Sequence, residues 1–246
     1  MWRRCAVTGV ASSLSRGNRL TGGMRWTVPN ILTVLRLVAA PGLAIMFLYF
    51  ARPWADWYAM LLFIGASITD YVDGYLARAW KQESPFGAMM DPIADKAMVV
   101  IALLVITGFS GMNPWILLPA TVIMFREIFV SGLREYLGSS VGTLKVTAVA
   151  KYKTFAQMLA LTVLFATGVF EHNVIERTVG MDPALIADIM EGRIADEVGL
   201  VWNVTAARIT WWTGVILLWV AAVLTLITGF DYFRKSLPLL HKQGAL

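Results

Sequence analysis

DYVDGYLARAWKQESPFGAMMDPIADK, residues 70–96, sets four aspartates, Asp70, Asp73, Asp91 and Asp95, at the edges of two apolar stretches. A carboxylate is costly at such a position unless something answers its charge. Spacings of i,i+3 and i,i+4 put each pair on one face of a helix. The short link between the pairs makes the two helices neighbours, so all four acids can converge on one point. Four anions gathered in a low-dielectric setting repel strongly, and a cation must answer them. Arg78 and Lys96 are too few for the whole set, and His172 and His241 lie far off in sequence. An all-carboxylate cluster favours a hard ion such as Mg²⁺ or Mn²⁺. Gly74, Ala77 and Gly87 keep the surrounding helix surface low enough for a ligand or a neighbouring helix to approach. Ser84–Pro85 and Asp91–Pro92 each offer a cap and a first helical position for the helix that follows, and both starts remain open.

Outward from this stretch the chain reads as a membrane protein. Of 246 residues, 58% are hydrophobic and 15% charged, where a soluble chain carries about 45–50% and about 25%. Apolar segments recur near 31–50, 54–79, 88–108, 114–137, 148–170 and 205–230. Each is long enough to cross a hydrocarbon core as a helix. The expected fold class is therefore an all-α integral membrane protein with six transmembrane helices. Lys and Arg concentrate in the leading tail, after span two (Arg78, Lys81), after span four (Lys145) and in the closing tail (Arg234, Lys235, Lys242). The stretch 171–204 is acidic instead. Positive loops mark the cytoplasmic side, so both termini are expected there. The same rule accounts for the net charge of +5, and without a basic stripe interleaved with aromatics nucleic acid is not an expected partner. Cys5 is the single cysteine, which excludes an intrachain disulfide and a thiolate metal cluster.

The domain organisation follows: a flexible basic N-terminal tail over 1–27, one six-helix domain over 28–236 with 171–204 as an extracytoplasmic loop insertion, and a cytoplasmic tail over 237–246. The acid-free leader can also be read as a targeting peptide, or as an upstream start ahead of Met24; a cytoplasmic tail is the simpler reading. Within the acidic loop, 182–198 offers a short amphipathic helix capped by Asp182 with Pro183 at its first position, against a plain surface loop. Trp54, Trp57, Trp115 and Trp202 fall near the predicted interfaces and read as an aromatic belt. Gly65, Ala66 and Ser67 read as helix-packing residues.

Two other readings of the four acids are weaker. Boundary charges that snorkel to the headgroups explain a single acid better than four at matched spacing. A transporter would hold its coupling cation near the midplane between repeated halves, and here the acids lie toward one face with no repeat.

The stretch resembles the signature of the CDP-alcohol phosphatidyltransferase family, D-x2-D-G-x2-A-R-x8-G-x3-D-x3-D, met at Asp70, Asp73, Gly74, Ala77, Arg78, Gly87, Asp91 and Asp95. The resemblance implies that Asp70, Asp73, Asp91 and Asp95 hold two divalent cations, Mg²⁺ or Mn²⁺. It implies that Gly74, Ala77, Arg78 and Gly87 contact the cytidine diphosphate part of CDP-diacylglycerol, and that Asp95 is the catalytic base toward an acceptor hydroxyl. The family also implies a homodimer in contact with membrane lipids, here in a bacterial cytoplasmic membrane with the site facing the cytoplasm.

FREIFVSGLREYLG, AKYKTFAQMLAL, VPNILTVLRL and LTLITGFDYFR are similar to the branch of the family whose acceptor is glycerol 3-phosphate. A phosphate dianion needs basic groups near the acids. Arg126, Arg134, Lys151 and Lys153 fall at the cytoplasmic ends of spans four and five, and Arg126 lies deepest in its apolar run. Asn30, Thr33 and Arg36 recur at i+3 in span one and are expected to line the nucleotide site, with helix capping by Asn30 as the rival reading. Inositol phosphate, serine and phosphatidylglycerol are the alternative acceptors.

Overall fold

The structure is a computed structural model that describes residues 28–80, 85–138 and 149–242. Within these, the side chains of 29, 70–80, 85, 88, 149–151 and 242 lie outside the description. The leading tail (1–27) and residues 243–246 of the closing tail also fall outside it.

The described residues form seven helices: α1 (Val28–Tyr49), α2 (Trp54–Trp80), α3 (Pro85–Phe109), α4 (Pro114–Leu137), α5 (Val149–Thr178), α6 (Pro183–Met190) and α7 (Leu200–Lys242). Local chemistry sets several boundaries. α3 begins at Pro85, which decides between the two starts in favour of the earlier one and leaves Asp91 inside the helix rather than capping it. α4 begins with Asn113 accepting from the Trp115 amide at 3.0 Å, followed by Pro114. Asp182 caps α6 as its sequence suggests, accepting from the Ala184 amide at 2.8 Å, but the helix stops at Met190 rather than running to 198. Asp196 accepts from the amides of Leu200 and Val201 at 2.8 and 2.9 Å and so starts α7.

Five helices, α1, α3, α4, α5 and α7, are long and apolar enough to cross a membrane. Their outward faces are apolar: Leu35, Leu48, Leu104, Phe125, Ile128, Phe155, Ile216 and Phe230 are all exposed. An apolar exterior on this scale needs an apolar solvent, so the chain is a multi-pass membrane protein. Trp54, Trp57, Trp115 and Trp202 are exposed in the first turns of α2, α4 and α7.

Around the bundle, neighbours run α1, α2, α5, α7, α4, α3 and back to α1. The core is built from Leu43 and Phe47 of α1, Phe63 of α2, Met98 and Leu103 of α3, Ile123 of α4, Phe165 of α5 and Leu218 of α7. Phe47 contacts Phe109 and Phe165 with ring centroids 4.8 and 5.9 Å apart. A Cβ on Gly214 would lie 2.7 Å from Leu164, and one on Gly229 would lie 2.8 Å from Arg126, so α7 approaches α5 and α4 closely there. Gly65 plays no such part: a Cβ on it would meet nothing within 4 Å. α3 touches α4 and α5 only sparsely among the described residues, and the gap between these three helices becomes the site.

α7 runs 43 residues, past the apolar run that ends near 230 and on to Lys242, within the segment expected to be a cytoplasmic tail. Helices do not end where hydropathy ends; Asp231 and Lys235 continue it with an i,i+4 ion pair at 2.6 Å.

Candidate active site

Asp91 and Asp95 sit one turn apart on α3, facing α1. α1 meets them with a buried polar face of Asn30, Thr33 and Arg36, spaced three residues apart. Thr33 Oγ1 donates to Asp91 Oδ1 at 2.5 Å, and Arg36 Nη1 donates to Asp95 Oδ1 at 2.5 Å. The pairing is asymmetric: the Arg36 side chain is 3% exposed and that of Asp95 is 48% exposed. Arg36 is thus a buried anchor that holds an open carboxylate. Asn30 is the third residue of α1 and is buried, so it does not cap the helix.

Asp95 opens onto a cavity of about 270 Å³ between α3, α4 and α5. That is slightly below the ~300–1,000 Å³ typical of drug-sized ligand sites and suits a small molecule. α3 contributes Asp95 and Lys96, α4 contributes Arg126, Glu127 and Arg134, and α5 contributes Lys153 and Gln157. Four cationic side chains thus surround two carboxylates, an excess of two positive charges that complements a phosphate dianion. Glu127 organises the cations: Lys153 donates to it, and Arg126 Nη1 reaches it at 3.1 Å. Arg126 Nη2 donates to Thr228 Oγ1 of α7 at 3.3 Å. Lys96 donates to Ser131 Oγ at 2.5 Å. Arg134 is exposed and lies over the Tyr232 ring at 5.1 Å, with no carboxylate paired to it among the described residues.

The structure therefore gathers Asp95, Arg126, Arg134 and Lys153 around one cavity, and sets Thr33 against Asp91. Gly87 is buried in the first turn of α3. Asp70, Asp73, Gly74, Ala77 and Arg78 lie in the last three turns of α2 and Lys151 in the first turn of α5; their side chains fall outside the described ones. Among the described residues no three His, Cys, Asp or Glu side chains come close enough together to hold a metal. Asp91 and Asp95 fit a hard divalent cation in the chemistry of their donors, and the remaining ligands would have to come from α2.

Sequence reasoning missed Lys96 and Gln157 as cavity residues, and did not see that Arg36 answers Asp95. For Gln157 a signal was available: it is a lone amide in an apolar run, one turn after Lys153.

A helical membrane bundle with paired aspartates on α3 and a cationic cavity beside them matches the family model described as CDP-alcohol phosphatidyltransferase over residues 26–226. The chain belongs to the CDP-alcohol phosphatidyltransferase family. Among its relatives, a protein of Cereibacter sphaeroides is 58% identical over 220 residues, covering 89% of this chain and 100% of that one. One of Rickettsia bellii is 36% identical over 207 residues, covering 84% and 93%. One of Escherichia coli strain K12 is 39% identical over 140 residues, covering 56% and 76%. All three are named CDP-diacylglycerol–glycerol-3-phosphate 3-phosphatidyltransferase.

Proposed function

We propose that the chain transfers the phosphatidyl group of CDP-diacylglycerol to sn-glycerol 3-phosphate, giving phosphatidylglycerol phosphate and CMP. The observation that carries this reading is the cavity in which half-exposed Asp95 faces an excess of two positive charges. An acceptor bearing a hydroxyl at one end and a phosphate dianion at the other fits that arrangement, and the names of the relatives support it.

Asp95 takes the proton of the attacking hydroxyl. A bond forms from that oxygen to the phosphorus carrying the diacylglycerol, and the bond from this phosphorus to the bridging oxygen breaks, so that CMP leaves with the electron pair. Arg36, fixed by burial, keeps the Asp95 carboxylate aimed. Arg126, Arg134, Lys151 and Lys153 bind the acceptor phosphate. Asn30, Thr33, Gly74, Ala77, Arg78 and Gly87 bind the CDP-lipid. Asp70, Asp73, Asp91 and Asp95 would hold two Mg²⁺ or Mn²⁺ ions, which when bound would neutralise the diphosphate and the leaving CMP.

α2, at 27 residues, is about 40 Å long and serves as the sixth span. Six spans place both termini in the cytoplasm, with the site at the inner face of a bacterial cytoplasmic membrane. The working unit is a homodimer among membrane lipids. Purified protein in mixed micelles with CDP-diacylglycerol and Mg²⁺ tests the reaction, with each alcohol supplied in turn. Lipid product from glycerol 3-phosphate is expected; product only from inositol phosphate, serine or phosphatidylglycerol would sink the acceptor assignment and leave the transfer chemistry.

A further inference from the structure

Two nitrogens on residues that line the cavity have no hydrogen-bond partner among the described residues: Arg126 Nε and the side-chain amide Nε2 of Gln157. Arg126 already spends its other two nitrogens on Glu127 and Thr228. Gln157 is 3% exposed. A buried amide left unpaired costs about 1–3 kcal/mol, and a methionine of similar volume would avoid that cost. Toward the C-terminal end of this face of α5 its neighbours Ala160, Leu161 and Leu164 are buried and apolar, so the amide closes the polar end of the cavity.

The layout of the cavity says what the amide is for. Both Asp95 and Lys153, one turn before Gln157, line this cavity; in the proposed reaction they stand at the attacking hydroxyl and at the phosphate. Glycerol 3-phosphate has one polar group left between those ends, the secondary hydroxyl on its middle carbon. A hydroxyl both donates and accepts, as a primary amide does, whereas guanidinium and ammonium groups only donate. Thr154, the other neutral polar side chain lining the cavity, is exposed and already has an interaction of its own.

We propose that Gln157 binds the middle hydroxyl of the acceptor and thereby determines acceptor specificity. This rests on glycerol 3-phosphate being the acceptor. It makes Gln157 a residue that rejects phosphorylated alcohols lacking that hydroxyl, because they would leave the amide unpaired in the closed complex.

The test compares sn-glycerol 3-phosphate with 3-hydroxypropyl phosphate, which lacks the middle hydroxyl, in full-length wild type and in Gln157→Met. Wild type is expected to favour glycerol 3-phosphate on the order of ten- to a hundredfold in kcat/KM, the span that follows from an unpaired buried group. Gln157→Met should lower turnover of glycerol 3-phosphate to the level of the analogue while leaving the analogue within about twofold of wild type. A variant that loses both acceptors equally would assign Gln157 to packing and overturn the proposal. Wild type that handles both acceptors alike would overturn it too, and needs no variant to fold. Wild type that makes no lipid from glycerol 3-phosphate, yet does from another alcohol, would sink the acceptor assignment itself; that result appears before any variant is made and so is distinguishable from failure of the Gln157 role.

Discussion

Two Arg–Asp pairs stand at opposite ends of the bundle, and they are built inside out with respect to each other. Arg52 and Asp56 lie at the start of α2, where Nε and Nη2 both reach the carboxylate at 2.6 Å. There the acid is the buried partner, 2% exposed, and the arginine is 31% exposed. The hydrogen bond to Asp56 raises the Arg52 pKa above its ordinary value, outweighing its partial burial. The cavity beside this pair is only about 50 Å³. Arg36 and Asp95 use the same chemistry with the burial exchanged, and open onto about 270 Å³. A carboxylate whose two oxygens are both spent on a fork of guanidinium nitrogens is closed to other chemistry. The Asp95 carboxylate, 48% exposed beside its buried arginine, faces the cavity instead. The first pair ties the α1–α2 corner to α5; the second borders the cavity proposed as the active site.

If that contrast is right, removing each acid should damage a different property. Asp95→Asn is expected to cut CMP release by at least about 10²–10⁴ with little change in thermal unfolding, the range lost with a general base. Activity surviving within tenfold would erase the distinction. Arg36→Met should lower kcat by roughly ten- to a hundredfold with a smaller change in KM, since it loses a positioning contact to a charged group worth about 1.5–3 kcal/mol. Asp56→Asn should leave specific activity intact and cost stability instead. Breaking a buried pair costs about 3–5 kcal/mol, and the partial exposure of Arg52 brings this down to roughly 1–3. Thermal unfolding in detergent reads that loss. Gly168→Ala sharpens the point from the far side: a Cβ there would run into both Asp56 and Arg52. A cost of about 1–3 kcal/mol is expected, again without loss of turnover per folded molecule.

Asp196 gives the smallest effect. Desolvation pushes its pKa up, but hydrogen bonds from the amides of Leu200, Val201 and Gly199, with the charge of Arg177, outweigh it and hold the pKa below the ordinary value. A depressed folded pKa means the cap contributes fully above the unfolded value and is lost as pH falls through the folded one. Amide exchange at the start of α7 should therefore speed up only under acid conditions, and Asp196→Asn should blunt that dependence.

The acids on α3 were legible because helical spacing is a local property of sequence. So were the Asp182 cap and the apolar spans. What answers the acids was not legible: Arg36 lies 59 positions from Asp95, and Lys153 lies 26 from Glu127. Periodicity cannot report which faces of two distant helices meet. Gly65 shows the converse limit: a small residue reads as a packing contact from sequence, and among the described residues of this chain no side chain lies within 4 Å of where its Cβ would be. Arg126, Arg134 and Lys153 were legible from their depth and side, while Lys96 and the bonds that arrange the cations were not.

Arg126 and Glu127 are adjacent in sequence as well as paired in space. Translocon scales charge about 2.5–3.5 kcal/mol for a lone arginine or aspartate at the centre of an inserting helix. Delivered together, the two residues make α4 a neutral passenger at that depth, before Lys153 on α5 has been synthesised to join them. Glu127→Gln should therefore reduce membrane insertion of the isolated α4 segment in a translation assay, independently of any effect on the folded protein.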